Sequence, residues 1–316
     1  MTLNKLRLWL GGTVLLLSAC TEPTPGTQNP DTPVSGHIKV SIDESLKPLG
    51  DAEVKTFMQL YTKTTLDATY TSEAEALKDM WNDTARMIII PRTLTEAEQK
   101  MYTDKKHGVK IVKIAYDAIA LIRNKKYSDT VMTMATLDSI MNGKIQLKGK
   151  FAHFQLVFDN PGSSTLEYMK AKFHVAAGQQ LPDYFSAVHT NQEVINYVEQ
   201  NPNALGVIGV SWIANDDSMP NAFMKRVKVV SLNPPDTAKG TEQSYYPPFQ
   251  AWIKTKYYPL TREVYAITPE FFNGLGSGFI DFIASDKGQL RAYYTGLVPA
   301  TMQTRLMQSK KEVLPQ

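Results

Sequence analysis

The chain contains a single cysteine, Cys20, among its 316 residues. No intramolecular disulfide can therefore form, and beyond residue 20 no thiolate is available as nucleophile or metal ligand. The five histidines (His37, His107, His153, His174 and His189) are scattered, and none lies four residues from another, so the helical zinc pattern is missing. The net charge is only +3, and no basic run interleaved with aromatics occurs, which argues against a nucleic-acid partner. No apolar stretch approaches the ~20 residues that span a bilayer. A Gly-x-Ser-x-Gly elbow, a phosphate-cradling Gly-x-x-x-x-Gly-Lys-Ser/Thr loop and a Gly-x-Gly-x-x-Gly fingerprint are all missing. Neither a metal nor a cofactor is expected, and no enzymatic activity. A Ser-His-Asp triad stays open only because its members need not be close in sequence.

What is present begins at the N-terminus. Lys5 and Arg7 precede a short apolar run, Leu8 to Leu17, followed by Leu17-Ser18-Ala19-Cys20. A positive start, a short apolar core and small residues before a cysteine read as a lipoprotein signal over residues 1–19. Cys20 would be acylated, palmitate included, and anchor the chain to a membrane facing the periplasm or the cell exterior. Thr21 stands where an Asp could have signalled inner-membrane retention, which leans toward the outer membrane. Residues 20–36 carry Pro23, Pro25, Pro30 and Pro33 among polar residues and read as a flexible tether.

The remaining roughly 280 residues exceed one compact domain, so two lobes are expected. Strand-like and helix-like segments alternate: Ile38–Ile42 then a helix over 51–61, Leu66–Tyr70 then a helix opened by Ser72-Glu73-Ala74-Glu75, and Arg86–Ile90 then a helix opened by Thr95-Glu96-Ala97-Glu98. This alternation predicts α/β architecture with a mostly parallel sheet. Val109–Ile122 is too long for an ordinary strand, and Tyr258–Ile267 resembles a second crossing strand. Two crossings around a middle α/β block predict a two-stranded hinge, with residues 37–116 plus 263–312 as lobe 1 and 117–262 as lobe 2. Gly274-Leu275-Gly276-Ser277-Gly278 reads as a turn before the last helix. A ligand site would lie between the lobes, at the carboxyl ends of strands.

Gly162-Ser163-Ser164-Thr165 follows a strand and opens a helix, so its hydroxyls and free N–H groups meet at a positive helix end, suited to an anion. The plainer alternative is that one hydroxyl only caps the helix. Arg92, just after the Arg86–Ile90 strand, could pair bidentately with an oxyanion; a solvated surface arginine is the other reading. Ser45, between the first strand and first helix, is a further candidate, with a helix-start role as its alternative.

Several segments in order resemble the phosphate-binding proteins of phosphate ABC importers, in their lipoprotein form. Ile114–Asn124 is similar to that family's first hinge strand, Thr136–Ile145 to the helix and turn after it, and Gly162-Ser163-Ser164-Thr165 to its anion loop. Leu205–Val210 resembles its buried strand, Tyr258-Pro259-Leu260 its return hinge, and Phe282–Gln289 with Gly296-Leu297-Val298-Pro299 its C-terminal signature. The resemblance implies a two-lobed periplasmic-binding-protein fold of type II. It also implies a monomeric solute-binding protein that captures inorganic phosphate or a related oxyanion, with an ABC permease as partner. The implied ligand residues are Ser45, Arg92, Asp159, Ser163, Ser164 and Thr165.

Two positions depart from the family pattern: Asp159 stands where the family has an arginine, and Ser164 where it has a glycine. Either Arg92 supplies the positive charge and Asp159 accepts the proton of hydrogen phosphate, which would reject sulfate, or the pocket has lost anion binding. In the second case the chain is a sensory or interaction lipoprotein. A hydrolase using a loop serine is a third possibility, for which no base can be named.

Overall fold

The computed structural model describes residues 31–104, 108–149, 152–213, 226–234 and 244–302. The signal segment, Cys20 and the Pro-rich stretch as far as Pro30 lie outside the described residues, as does the lipidation expected at Cys20. In chain order the elements are β1 (Gly36–Asp43), α1 (Lys47–Leu60), β2 (Thr64–Thr71), α2 (Glu73–Trp81), β3 (Met87–Ile90), α3 (Glu96–Asp104), β4 (Lys110–Asn124), β5 (Val131–Met132), α4 (Met134–Met141), β6 (Gln155–Phe158) and α5 (Ser164–Lys172). There follow β7 (Phe185–Ala187), α6 (Asn191–Gln200), β8 (Ala204–Gly209), β9 (Val227–Val229), β10 (Ser231–Leu232), α7 (Gln250–Lys254), β11 (Thr261–Thr268), α8 (Leu275–Ala284), α9 (Asp286–Tyr294) and β12 (Val298–Pro299).

Local capping explains where several helices start. Ser72 accepts from Glu75 N at 3.3 Å to open α2. Thr95 and Glu98 satisfy each other's N–H groups at 3.2 and 2.7 Å ahead of α3, a reciprocal capping box. Thr133 and Thr190 do the same service singly for α4 and α6.

The strands form a sheet in the order β2-β1-β3-β11-β4-β8-β6-β7, with β12 and β9 also paired to β4. It is mixed, where the sequence predicted a mostly parallel sheet. β1 is parallel to β2 and β3, and β6 is parallel to β8 and β7. β11 runs antiparallel to β3 and β4, and β4 antiparallel to β8. The two crossing strands cause the difference, because they carry the chain across and back in opposite directions. β4 is 15 residues long and belongs to both halves of the sheet. Its Ile114 and Ala115 pack with Ile42, Phe57, Val264 and Phe279; its Ile119 and Leu121 pack with Phe158, Leu205 and Tyr258. The fold is that of a two-lobed α/β periplasmic-binding protein.

Two further departures have a physical cause. The expected tether does not run as far as residue 36, because Asp31–Gly36 is docked. Asp31 is buried and accepts from Leu275 N at 2.9 Å, with Arg86 3.4 Å away. The Gly274–Gly278 cluster is also not merely a turn: Gly274 is the N-cap and α8 starts at Leu275. Glu270 accepts from Gly276 N and Ser277 N at 2.9 and 2.7 Å, and a side chain at Gly278 would sit 2.1 Å from the Pro33 carbonyl oxygen. Glycine is required there by close approach, not by turn geometry.

Inside α1, Glu53 is fully buried, and neither of its carboxylate oxygens has a hydrogen-bond partner. Burial pushes its pKa up to about 9, with Arg291 only partly opposing.

Candidate functional site

β1 ends at Asp43, β6 ends one residue before Asp159, and β8 ends at Gly209. These carboxyl ends point their following loops at one another, the usual place for a site in an α/β sheet. After β1 the chain turns through a short 3-10 helix, Glu44–Leu46, whose start is fixed by Ser45 N donating to Asp43 Oδ1 at 3.0 Å. The Ser45 hydroxyl donates to the same oxygen. From the other half-sheet, Ser164 Oγ also donates to Asp43 Oδ1, at 3.0 Å, and lies 3.4 Å from Ser45 Oγ.

Ser163 is the N-cap of α5 and accepts from Leu166 N at 3.2 Å. The capping alternative weighed for this loop is thus realised by Ser163, while Ser164 and Thr165 face other partners. Thr165 Oγ1 donates to Asp159 Oδ1 at 2.6 Å and lies 2.8 Å from Ser163 Oγ. The first intrahelical bond of α5 is Glu167 N to Ser163 O, so the N–H groups of Ser164 and Thr165 have no acceptor within the helix. These N–H groups and the helix dipole favour negative charge there.

The guanidinium of the cluster is Arg262, in the middle of β11, which is 5 % exposed. Antiparallel register sets it opposite Asp117 of β4, and its Nε donates to Asp117 Oδ2 at 2.6 Å. One terminal nitrogen donates to Ser164 Oγ at 3.0 Å and the other to Ser45 Oγ at 2.7 Å. Burial works against the charge, but Asp117, Asp43 and Asp159 outweigh it and hold the guanidinium pKa above its ordinary value.

Glu44 faces the N-terminus of α6. Its carboxylate accepts from Asn191 N at 3.1 Å and from Asn191 Nδ2. The same Nδ2 reaches Asp159 Oδ2 at 3.2 Å, and Asn191 Oδ1 accepts from Gly209 N at 3.0 Å. The Ser45 carbonyl accepts from Ser211 Oγ at 3.2 Å and from Trp212 Nε1 at 3.1 Å. Burial raises Asp43 to about 6, against the pull of Arg262. Burial also raises Glu44 to about 7, against the bonds from Asn191. Among the described residues, no group of three or more His, Cys, Asp or Glu is arranged to hold a metal ion.

Of the residues singled out by sequence, Ser45, Asp159, Ser163, Ser164 and Thr165 are brought together. Arg92 is not. Its Nε donates to Glu73 at 2.6 Å, and its terminal nitrogens form a fork on Glu98 at 2.8 and 2.9 Å. Both carboxylates sit in the first turns of α2 and α3, where helix dipoles favour them, and they hold Arg92 on that side. Sequence reasoning missed Arg262, Asp117, Asp43, Glu44 and Asn191. An available signal was a lone Asp and a lone Arg within the two long crossing segments.

Gly209 brings the halves into contact. A Cβ there would lie 2.6 Å from the Ser45 carbonyl oxygen, a backbone atom that cannot swing aside. Gly209→Ala is therefore expected to destabilise the fold by about 1–3 kcal/mol, as overpacking does, measurable by urea denaturation.

A sheet crossed by two long strands, with a polar cluster where its two halves meet, defines a binding-protein fold. The PBP superfamily domain matches residues 27–287, and the chain belongs to that family. The chain is 27 % identical over 266 residues to the phosphate-binding protein PstS of Borreliella burgdorferi, covering 80 % of this chain and 86 % of that protein. It resembles the crystal structure of a proposed phosphate ABC transporter substrate-binding protein with bound phosphate from Clostridium perfringens. There the TM-score is 0.68 at 22 % identity, over 84 % of this chain and 100 % of the other. An ABC-type phosphate transport receptor from Vibrio cholerae gives a TM-score of 0.58 at 17 % identity, over 83 % and 99 % of the two chains. No helix among the described residues is long and apolar enough to cross a membrane.

Proposed function

We propose that the chain is an extracytoplasmic solute-binding protein, anchored through a lipid on Cys20, that captures inorganic phosphate or a related oxyanion for an ABC importer. The observation that carries this reading is the Arg262 fork. Its two terminal nitrogens reach one hydroxyl from each half-sheet, Ser45 and Ser164. An oxyanion inserted there would take over those donors, together with Thr165 and the first N–H groups of α5. The likeness to phosphate-binding proteins from other bacteria supports phosphate as the ion. Leu17-Ser18-Ala19-Cys20 supports the anchor. Residues 37–116 plus 263–312 and residues 117–262 would be the two lobes, closing on the ion as a monomer before docking on the permease.

A competing reading is a sensory or interaction protein whose cluster is purely structural. It is favoured by the way Asp43, Ser45 and Ser164 already satisfy one another. Thermal unfolding of the full chain with and without phosphate decides between them. At a concentration about 100 times Kd, capture adds about 2.7 kcal/mol and raises the midpoint by several degrees. Ser164→Ala should weaken phosphate affinity about tenfold to hundredfold, as loss of a hydrogen bond to a charged group does. An unshifted midpoint at millimolar phosphate sinks the capture reading.

A further inference from the structure

Asp31 joins the fold at the end of the sheet away from the polar cluster. The cluster sits at the carboxyl end of β1, whereas Asp31 leads into its amino end, about 23 Å off at about 3.3 Å per residue along Gly36–Asp43. Here the fold fixes an apolar tip in place. Pro33 and Val34 form the corners of a tight turn, closed by Thr32 N donating to Ser35 O at 2.9 Å and Ser35 N to Thr32 O at 3.3 Å. The Pro33 carbonyl is pressed against Gly278, and Asp31 accepts from Leu275 N. Val34 is thereby held outward and is 48 % exposed. It shares the rim of a depression of about 510 Å³ with Tyr61, Asn273 and Phe282. Leu60, one residue before Tyr61, is 44 % exposed, and Phe271, two before Asn273, is 77 % exposed. Phe271 follows Glu270, which is clamped on the start of α8, and lies edge-on to Phe272 with ring centres 5.3 Å apart. Phe272 in turn meets the guanidinium of Arg86, beside Asp31.

Single exposed apolar side chains are ordinary on a protein surface. Three around one depression, on backbone tied down by hydrogen bonds, make a patch of the kind that meets a partner. Charge does not select an ionic one. Asp281 at the rim is paired with Lys110 at 2.5 Å, and Asp286 and Lys287 stand side by side with opposite sign. What lies opposite the patch follows from the chain. Cys20 precedes Asp31 by eleven residues, which reach about 40 Å at most, so a lipid on Cys20 keeps this end of the fold near the bilayer. The tether removes most of the search, and weak apolar contacts then suffice. We infer that this amino-end pole of the sheet, with Val34, Leu60 and Phe271 foremost, rests on the lipid surface and holds the polar cluster off the membrane at the far end of β1. This rests on the Cys20 anchor of the reading above, not on the identity of the captured ion.

The test uses the absence of any other thiol. Cys20 is the only cysteine and the lipid would consume it, so one introduced cysteine carries one fluorescent label. The full chain is purified from membranes in detergent and placed in phosphatidylcholine vesicles, with or without a nitroxide-bearing lipid. Val34→Cys and Phe271→Cys are compared with Val131→Cys. Val131 is likewise 44 % exposed but lies past the other end of β4, which leaves this pole at Lys110 and runs about 46 Å to Asn124. Labels at positions 34 and 271 should be quenched by the nitroxide lipid several-fold more than the label at 131, and be shielded from iodide in the water. Adding Leu60→Ser and Phe271→Ser to Val34→Cys should return its label toward the behaviour of position 131. Equal iodide access at all three positions on the vesicle-bound chain overturns the inference while the anchor stands. Labels shielded from iodide but not reached by the nitroxide mean that another protein surface, such as a second copy of the chain, covers the patch, and they overturn it too. A chain that does not float with the vesicles has no lipid on Cys20, and both readings fall.

Discussion

Replacing Arg262 by alanine is expected to destabilise the fold by about 3–5 kcal/mol and to abolish stabilisation by phosphate. The size follows from what the side chain leaves behind. Asp117 is fully buried, its Oδ2 is held by Arg262 Nε at 2.6 Å, and its Oδ1 has no partner. Removing the guanidinium strands that carboxylate in a medium where an isolated charge is costly. Asp43 and Asp159 also lose the cation that offsets them. The stability part is measured by denaturant unfolding and the binding part by thermal shift. Pairing Arg262→Met with Asp117→Asn separates them: most of the lost stability should return, because neither charge remains, whereas phosphate recognition should not. If the single substitution proved neutral, the ion pair between the crossing strands would be contributing nothing.

The second large effect lies away from the cluster and has the opposite sign. Glu53→Gln is expected to stabilise the protein by about 3 kcal/mol at pH 7, at 1.36 kcal/mol per unit of pKa displacement. Glu53 has an ordinary pKa of 4.5 and is raised to about 9 in the fold by burial. Between those values the folded chain holds a proton that the unfolded chain has released. Stability is therefore fully present below about 4.5 and declines as pH rises through about 9. Asp43 and Glu44, raised to about 6 and about 7, act in the same direction but are spent by about pH 8. The slope between about pH 8 and 9 thus belongs to Glu53. Urea denaturation at several pH values should show that slope in the natural chain and lose it in Glu53→Gln. Equal slopes in the two proteins would mean that water reaches the carboxyl.

These two residues show what the sequence could and could not convey. Ser163, Ser164 and Thr165 were legible because a helix start is a local event, announced by hydroxyl residues between a strand and an apolar helix. Ser45 was legible for the same reason. Arg262 was not, since its role depends on the antiparallel register that sets it against Asp117, and no neighbour in sequence signals that pairing. Arg92 has the right position at a strand end, but its partners arrive from two helix starts, at Glu73 and Glu98. Glu53 sits in an amphipathic helix where a charged residue ordinarily faces solvent, and only tertiary packing buries it, with Arg291 of α9 near enough to act on its charge. The architecture was more visible than the site because periodicity and capping repeat along the chain, whereas a buried ion pair occurs once. Even so, the mixed sheet was missed, since the direction of a crossing strand is a property of the whole chain path.

The long β4 strand has a consequence for how the molecule comes into being. Its first half needs β11 as a neighbour, yet β11 begins at Thr261, after the whole of the second half-sheet has been made. During synthesis the segment from β1 to β4 therefore waits with an open edge, at which backbone donors and acceptors are unpaired. Closing so long a loop carries only a slowly growing entropic cost, but it favours prior folding of the inserted block, which shortens the effective loop. Assembly would then run from the middle outward, with the N-terminal strands the last to be locked. A chain organised in this way stays pliable until its C-terminal third has appeared.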